Sequence, residues 1–145
     1  MKRLLAVAFF ALAACGGDVA SDTGYAISSS DEVQEARVVA VMSHADWCPS
    51  CKIVEPLVQT VRAAHDLDGV AFTQIDYTAR DQASFFIQGQ NLGVGDAVRA
   101  RFGEEIFTGR MILVDADTQT IVGEINKTMD EDQVLAEFRN ALARS

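Results

Sequence analysis

Trp47-Cys48-Pro49-Ser50-Cys51 sets two thiols on either side of two residues, where an apolar strand gives way to a helix. Upstream, Arg37 to Ser43 is short, apolar and rich in valine, which predicts a buried strand. Downstream, Ile53, Val54, Leu57, Val58 and Val61 recur at helical spacing. Cys48 is therefore expected at a helix N-terminus, where unpaired backbone N–H groups and the helix dipole favour a thiolate. That makes Cys48 the candidate nucleophile. Cys51, one turn further on, is the candidate resolving thiol, and together the two can carry two-electron thiol–disulfide chemistry without a cofactor.

The same spacing also suits half of a metal site. Structural zinc needs four protein ligands, and outside the pair the chain offers Cys15, His44 and His65. His65 falls at the far end of the expected helix. His44, four residues before Cys48, is near enough to join Cys48 and Cys51 around a soft ion such as Cu(I). This metal-binding alternative stands beside the redox one.

The wider stretch Ala45-Asp46-Trp47-Cys48-Pro49-Ser50-Cys51-Lys52-Ile53-Val54-Glu55-Pro56 resembles the thioredoxin active-site signature, down to the proline five residues after the second cysteine. More weakly, the resemblance runs from about residue 31 to about 143. Val70–Asp76 is similar to that family's next parallel strand, Met111–Val114 with Thr120–Ile125 to its closing hairpin, and the C-terminal helix fits as well. What the resemblance implies is an α/β domain of thioredoxin-like fold, a central mixed sheet flanked by helices, and a thiol–disulfide oxidoreductase whose redox-active disulfide joins Cys48 and Cys51. Trp47 would then pack beside the cysteines and offer partners an apolar contact.

Two departures from the family pattern matter. The chain's only prolines are Pro49 and Pro56, so the family's cis-proline facing the cysteines is absent and Thr108-Gly109 stands in its place. That substrate-contact loop is expected to run trans and, lacking a proline ring, to leave the site more open. The second departure is Met42, at the position where the family often buries a carboxylate that helps move the resolving thiol's proton. Here that proton is expected to use water or another group.

The N-terminus has a different character. Met1-Lys2-Arg3 is a basic start and Leu4 to Ala11 an apolar run too short to cross a bilayer, so residues 1–14 read as an export signal. Leu12-Ala13-Ala14-Cys15 resembles a bacterial lipoprotein box, which implies lipidation of Cys15. With Cys15 lipidated, the three cysteines leave one pair and no stranded thiol in an oxidising compartment. Loss of Lys2 and Arg3 takes the formal charge from -9 to -11, which argues against nucleic acid and against anionic headgroups as partners. Acyl chains are then what holds the protein to a membrane. The expected location is extracytoplasmic, on the periplasmic side in a bacterium with two membranes, and the absence of Asp at position 16 resembles outer-membrane sorting. Expected partners are protein disulfides or dithiols, plus an upstream redox partner that supplies or removes electrons.

Gly16 to Ser30 is rich in Gly, Ser, Asp and Thr, so residues 15–30 read as a lipidated cysteine and flexible tether, and 31–145 as one domain whose chain is 49% hydrophobic overall. Ser30 is the expected N-cap of a short helix through Ala36. Thr128-Met129-Asp130-Glu131 has capping-box spacing ahead of a helix whose Val134, Leu135, Phe138, Ala141 and Leu142 share one face. The insert 77–108 is longer than the thioredoxin pattern needs. Ala83 to Ile87 and Ala97 to Phe102 are expected helices, with Phe85, Phe86 and Ile87 in the core and the insert free to cap the cysteine face. His44 is expected either to tune the Cys48 thiolate or to be a hydrogen-bonded interior residue, and Asp46 to sit on a solvated rim. Cys15→Ser should leave the protein soluble or unprocessed on fractionation; a variant correctly cleaved and still membrane-bound refutes the anchor.

Overall fold

Val38, Ala40 and Met42 alternate with Val39 and Val41 along β1 (Val38–His44), and each set finds its own helical layer. The computed structural model describes residues 25–145. Strand β1 is buried along its whole length because it lies between two neighbours in a four-stranded sheet ordered β2-β1-β3-β4. It pairs in parallel with β2 (Val70–Asp76), from Val38 opposite Val70 to His44 opposite Asp76. It pairs antiparallel with β3 (Arg110–Asp115), which turns back into β4 (Ile121–Asn126) with an irregularity at Leu113/Val114. The expected mixed sheet flanked by helices is present.

On one face, Val38, Ala40, Met42, Met111, Leu113 and Ile125 pack against the helices Cys51–Ala64 and Glu131–Arg144, through Val54, Val58, Val61, Val134 and Phe138. On the other, Val39, Val41, Ile75, Ile112 and Val114 meet the helices Gln82–Asn91 and Gly95–Phe102 through Phe85, Val98 and Phe102. Numbered in chain order with the short first helix Ser30–Glu35 as α1, these are α2, α5, α3 and α4. The helices of the insert therefore build the second layer. Its Phe85 is fully buried, edge-on to Phe102 at 5.5 Å, but Ile87, expected in the core, is 53% exposed.

Several local expectations shift for physical reasons. Ile53 points to solvent, because a 3.6-residue period gathers Cys51, Val54, Glu55, Val58 and Val61 on the buried face of α2. The cap of α1 is Ser29, one residue before the expected Ser30, and it closes a capping box with Glu32. In α5 the box is Asp130 with Gln133, while the Thr128 hydroxyl donates to Asn126 Oδ1 at 2.7 Å.

The described part of the expected tether belongs to the domain. Tyr25 is fully buried, and its hydroxyl donates to the Thr73 carbonyl at 3.4 Å. Arg62 donates to the Ala26 carbonyl at 2.7 Å. Ser28 N–H donates to Phe72 O at 2.8 Å, and Phe72 N–H returns a bond to Ser28 Oγ at 3.0 Å. Since β2 is an edge strand, this segment satisfies backbone groups that would otherwise face solvent. The signal segment, Cys15 and the rest of the tether lie outside the described residues. Tyr25→Ala should lower unfolding free energy by about 3–5 kcal/mol in urea titration, the range for emptying a buried aromatic site; an unchanged midpoint would detach residues 25–28 from the fold.

Candidate active site

Helix α2 starts at Cys51 with Ser50 as N-cap, and the Ser50 side chain makes no capping bond. The acceptor at this helix end is a sulfur: the Cys51 N–H donates to Cys48 Sγ at 3.1 Å. Cys48 lies two residues before the N-cap, held by its own N–H to the Ala45 carbonyl at 2.9 Å. Both side chains are buried. They differ in setting. Cys51 Sγ donates to the Ser43 carbonyl at 3.6 Å, and burial first, then its bond with Cys48, pushes its pKa well above the ordinary thiol value. Cys51 is therefore the thiol that holds its proton.

The loop after β2 braces the active-site loop. Asp46 N–H donates to Thr78 Oγ1 and the Trp47 indole N–H to the Thr78 carbonyl, each at 3.0 Å. Trp47 is 44% exposed, with the Arg80 guanidinium 4.4 Å over its ring. Its pose is fixed by Thr78 and Arg80, contacts that the resemblance did not include.

Beneath Cys51 lies a residue whose role sequence reasoning missed. Glu55 is fully buried, and its Oε1 stands 2.5 Å from Nδ1 of His44, also buried. The other ring nitrogen, Nε2, is 3.2 Å from Oδ1 of Asp46, whose side chain is 70% exposed, as expected of a rim residue. Met42 is apolar core, and the buried carboxylate near Cys51 comes from α2. The available signal was its position: Glu55 comes four residues after Cys51, on the face shared with Val54 and Val58. Burial would lower the His44 pKa, but the two carboxylates outweigh it and raise it. His44 is thus a hydrogen-bonded interior residue aimed at carboxylates.

Among the described residues, the side chains that converge with ligand-type atoms are His44, Cys51 and Glu55, all within 4.8 Å of one another. The group expected for a soft ion, Cys48, Cys51 and His44, is not the one brought together. Nδ1 of His44 is already held by Glu55.

Thr108-Gly109 adjoins the cysteines, with Thr108 half-buried and Gly109 buried. No cis peptide bond occurs among the described residues. Gly109 adopts φ +78°, and its N–H donates to the Ser43 carbonyl at 2.8 Å. A Cβ there would overlap Cβ of Ser50 and come within 3.1 Å of the Cys51 nitrogen. The expectation of a more open site is therefore corrected. Where a proline ring is missing, the backbone itself closes onto Ser50 and Cys51, and Ser43 Oγ pins the approach by donating to the Phe107 carbonyl at 2.6 Å.

Comparison with known proteins points to one family. The family model described as Thioredoxin matches residues 27–88, which include both cysteines. A "Thioredoxin-like protein" of Fusarium culmorum is 31% identical over 90 residues, covering 50% of this chain and 74% of that protein. Among solved structures, a mutant thioredoxin from Halobacterium salinarum is 21% identical at a TM-score of 0.49, over 77% of this chain and 80% of its own. StoA from Bacillus subtilis is 18% identical, also at 0.49, over 83% and 94%.

Gly109→Ala should be disruptive for two separate reasons: the left-handed backbone costs an L-residue about 1–2 kcal/mol, and overpacking adds about 1–3 kcal/mol. Gly109→Pro should be worse, since proline cannot reach positive φ and forfeits the bond to Ser43. Thermal melts of both variants check this; wild-type stability in either would contradict the close approach.

Proposed function

Because the chain belongs to the thioredoxin-like family, we propose that it is a lipid-anchored thiol–disulfide oxidoreductase acting through Cys48 and Cys51 on protein disulfides or dithiols outside the cytoplasm. Thiol–disulfide exchange is the class of chemistry that this family and the Cys48/Cys51 pair give. The observation that carries the assignment of roles is the 3.1 Å bond from the Cys51 amide to Cys48 Sγ at the uncapped start of α2. That donor holds and orients the Cys48 sulfur at the helix end, while Cys51 stays protonated in its buried setting.

In the reducing direction, the Cys48 thiolate attacks one sulfur of a partner disulfide, forming a mixed disulfide and expelling the first partner thiolate. Cys51 then gives up its proton and attacks the Cys48 sulfur. The second partner thiolate leaves, and Cys48–Cys51 remains as the disulfide. The reverse sequence oxidises a partner dithiol, and an upstream redox partner resets the pair in either case. The half-exposed Trp47 supports a docking role, with Thr108 and Gly109 the neighbouring backbone a partner peptide would meet. Anchoring through Cys15 is supported by the lipoprotein-like Leu12-Ala13-Ala14-Cys15 and by a charge that gives the domain no attraction to anionic lipid.

Cys48→Ser should abolish exchange. Cys51→Ser should accumulate covalent partner adducts, visible on non-reducing gels and released by dithiothreitol. Equal trapping by both variants would overturn the roles, and no adduct with any protein thiol would overturn the function.

A further inference from the structure

We propose that Glu55, His44 and Asp46 form a proton outlet for Cys51, running from the buried thiol to solvent beneath the active-site loop. The proposal rests on the oxidoreductase reading and adds the route by which the resolving step sheds its proton. Cys51 is buried and holds its proton, yet it must be deprotonated to attack the mixed disulfide. The Ser43 carbonyl that receives its S–H is no base. Atoms of Glu55 and His44 lie within 4.8 Å of Cys51 Sγ, a separation that one water can bridge or a small shift can close.

The groups facing this pair leave little competition. From the N-terminal segment comes Tyr25, whose hydroxyl is pushed above its ordinary range, first by burial, and so stays protonated; Arg62 acts on that tyrosine. From α2 come Glu55 and Cys51, and from the loop after β1, Asp46. Met42 and Met111 line the same side of the sheet as apolar core. Among these groups, Asp46 is the one that connects the buried set with solvent.

The step balances with one proton entering and one leaving. The Cys51 S–H bond breaks and its proton passes to the Glu55 carboxylate, while the sulfur's electron pair forms the bond to Cys48. The Cys48–partner bond breaks, and its pair departs on the partner thiolate. In this relay His44, hydrogen-bonded between two carboxylates, carries a proton and releases it from Nε2 towards Asp46 and water. The negative charge lost at Glu55 is thus matched by the positive charge lost at His44, and the interior is not left with an unpaired charge. Run backwards, the same groups return a proton to Cys51 when the disulfide opens.

The test uses the full-length protein in detergent and a symmetrical aromatic disulfide whose thiolate is coloured. The first release of colour reports attack by Cys48, the second resolution by Cys51. Glu55→Gln should lower the ratio of second to first rate by about a hundredfold, within the usual range for a lost acid–base group. It should also move the pH profile of the second release towards alkaline pH. Asp46→Asn, at an exposed position that should not disturb folding, should lower the same ratio severalfold and by itself decides the matter if Glu55→Gln does not fold. An unchanged ratio and pH profile in Asp46→Asn overturns the outlet, even if Glu55→Gln is slow. A wild-type protein giving no first release fails at the oxidoreductase reading instead.

Discussion

The Cys51 amide donates to the Cys48 sulfur because α2 begins without a side chain to cap it, and the functional geometry hangs on that bond. A helix end has donors to satisfy whatever the sequence supplies. Here Ser50 leaves the role to a thiol, so the demand that stabilises the helix also orients the Cys48 sulfur, the proposed nucleophile. The surrounding architecture holds this junction in place. β1 is clamped between two strands, its Ser43 carbonyl accepts from both the Cys51 thiol and the Gly109 amide, and the Ser43 hydroxyl ties in Phe107.

His44 and Glu55 form a buried polar pair below the cysteines, in a domain packed largely from aliphatic and aromatic side chains. A buried carboxylate is tolerable only with partners, and removing one partner leaves a charge stranded at a cost of about 3–5 kcal/mol. Glu55 has His44, and His44 has Asp46, which reaches water. An apolar pair of similar volume would serve stability at least as well. The charged pair is therefore better understood through its place beside Cys51 than through any gain in stability.

Much of this was legible in the sequence. Val38–His44, Val70–Asp76 and the hairpin strands announced themselves by apolar runs and order, and Cys48 and Cys51 by spacing next to a strand–helix junction. What could not be read depended on contacts between distant segments. Glu55 looks like any helical glutamate until Cys51, Val54 and Val58 show which face is buried. Ile53 and Ile87 are apolar by type but not by angle. Gly109 read as an absent proline, whereas its φ and its approach to Ser50 depend on how a loop from the far end of the chain meets α2. Tyr25 sits in a stretch whose composition suggested a linker, and only the open edge of β2 explains its burial.

That burial alters the geometry of the proposed anchoring. Tyr25, rather than residue 31, is packed into the domain, and ten residue steps separate it from Cys15, a chain length that spans at most about 35 Å. Sixteen steps would have allowed about 55 Å. On that anchoring the domain would be confined to a thin shell above the lipid, and its usable partners would be those whose disulfides come into that shell: other proteins of the same membrane, or soluble chains passing close to it. Reach, set by an aromatic side chain wedged against an edge strand, would then act as a filter on substrates independent of the chemistry at the cysteines.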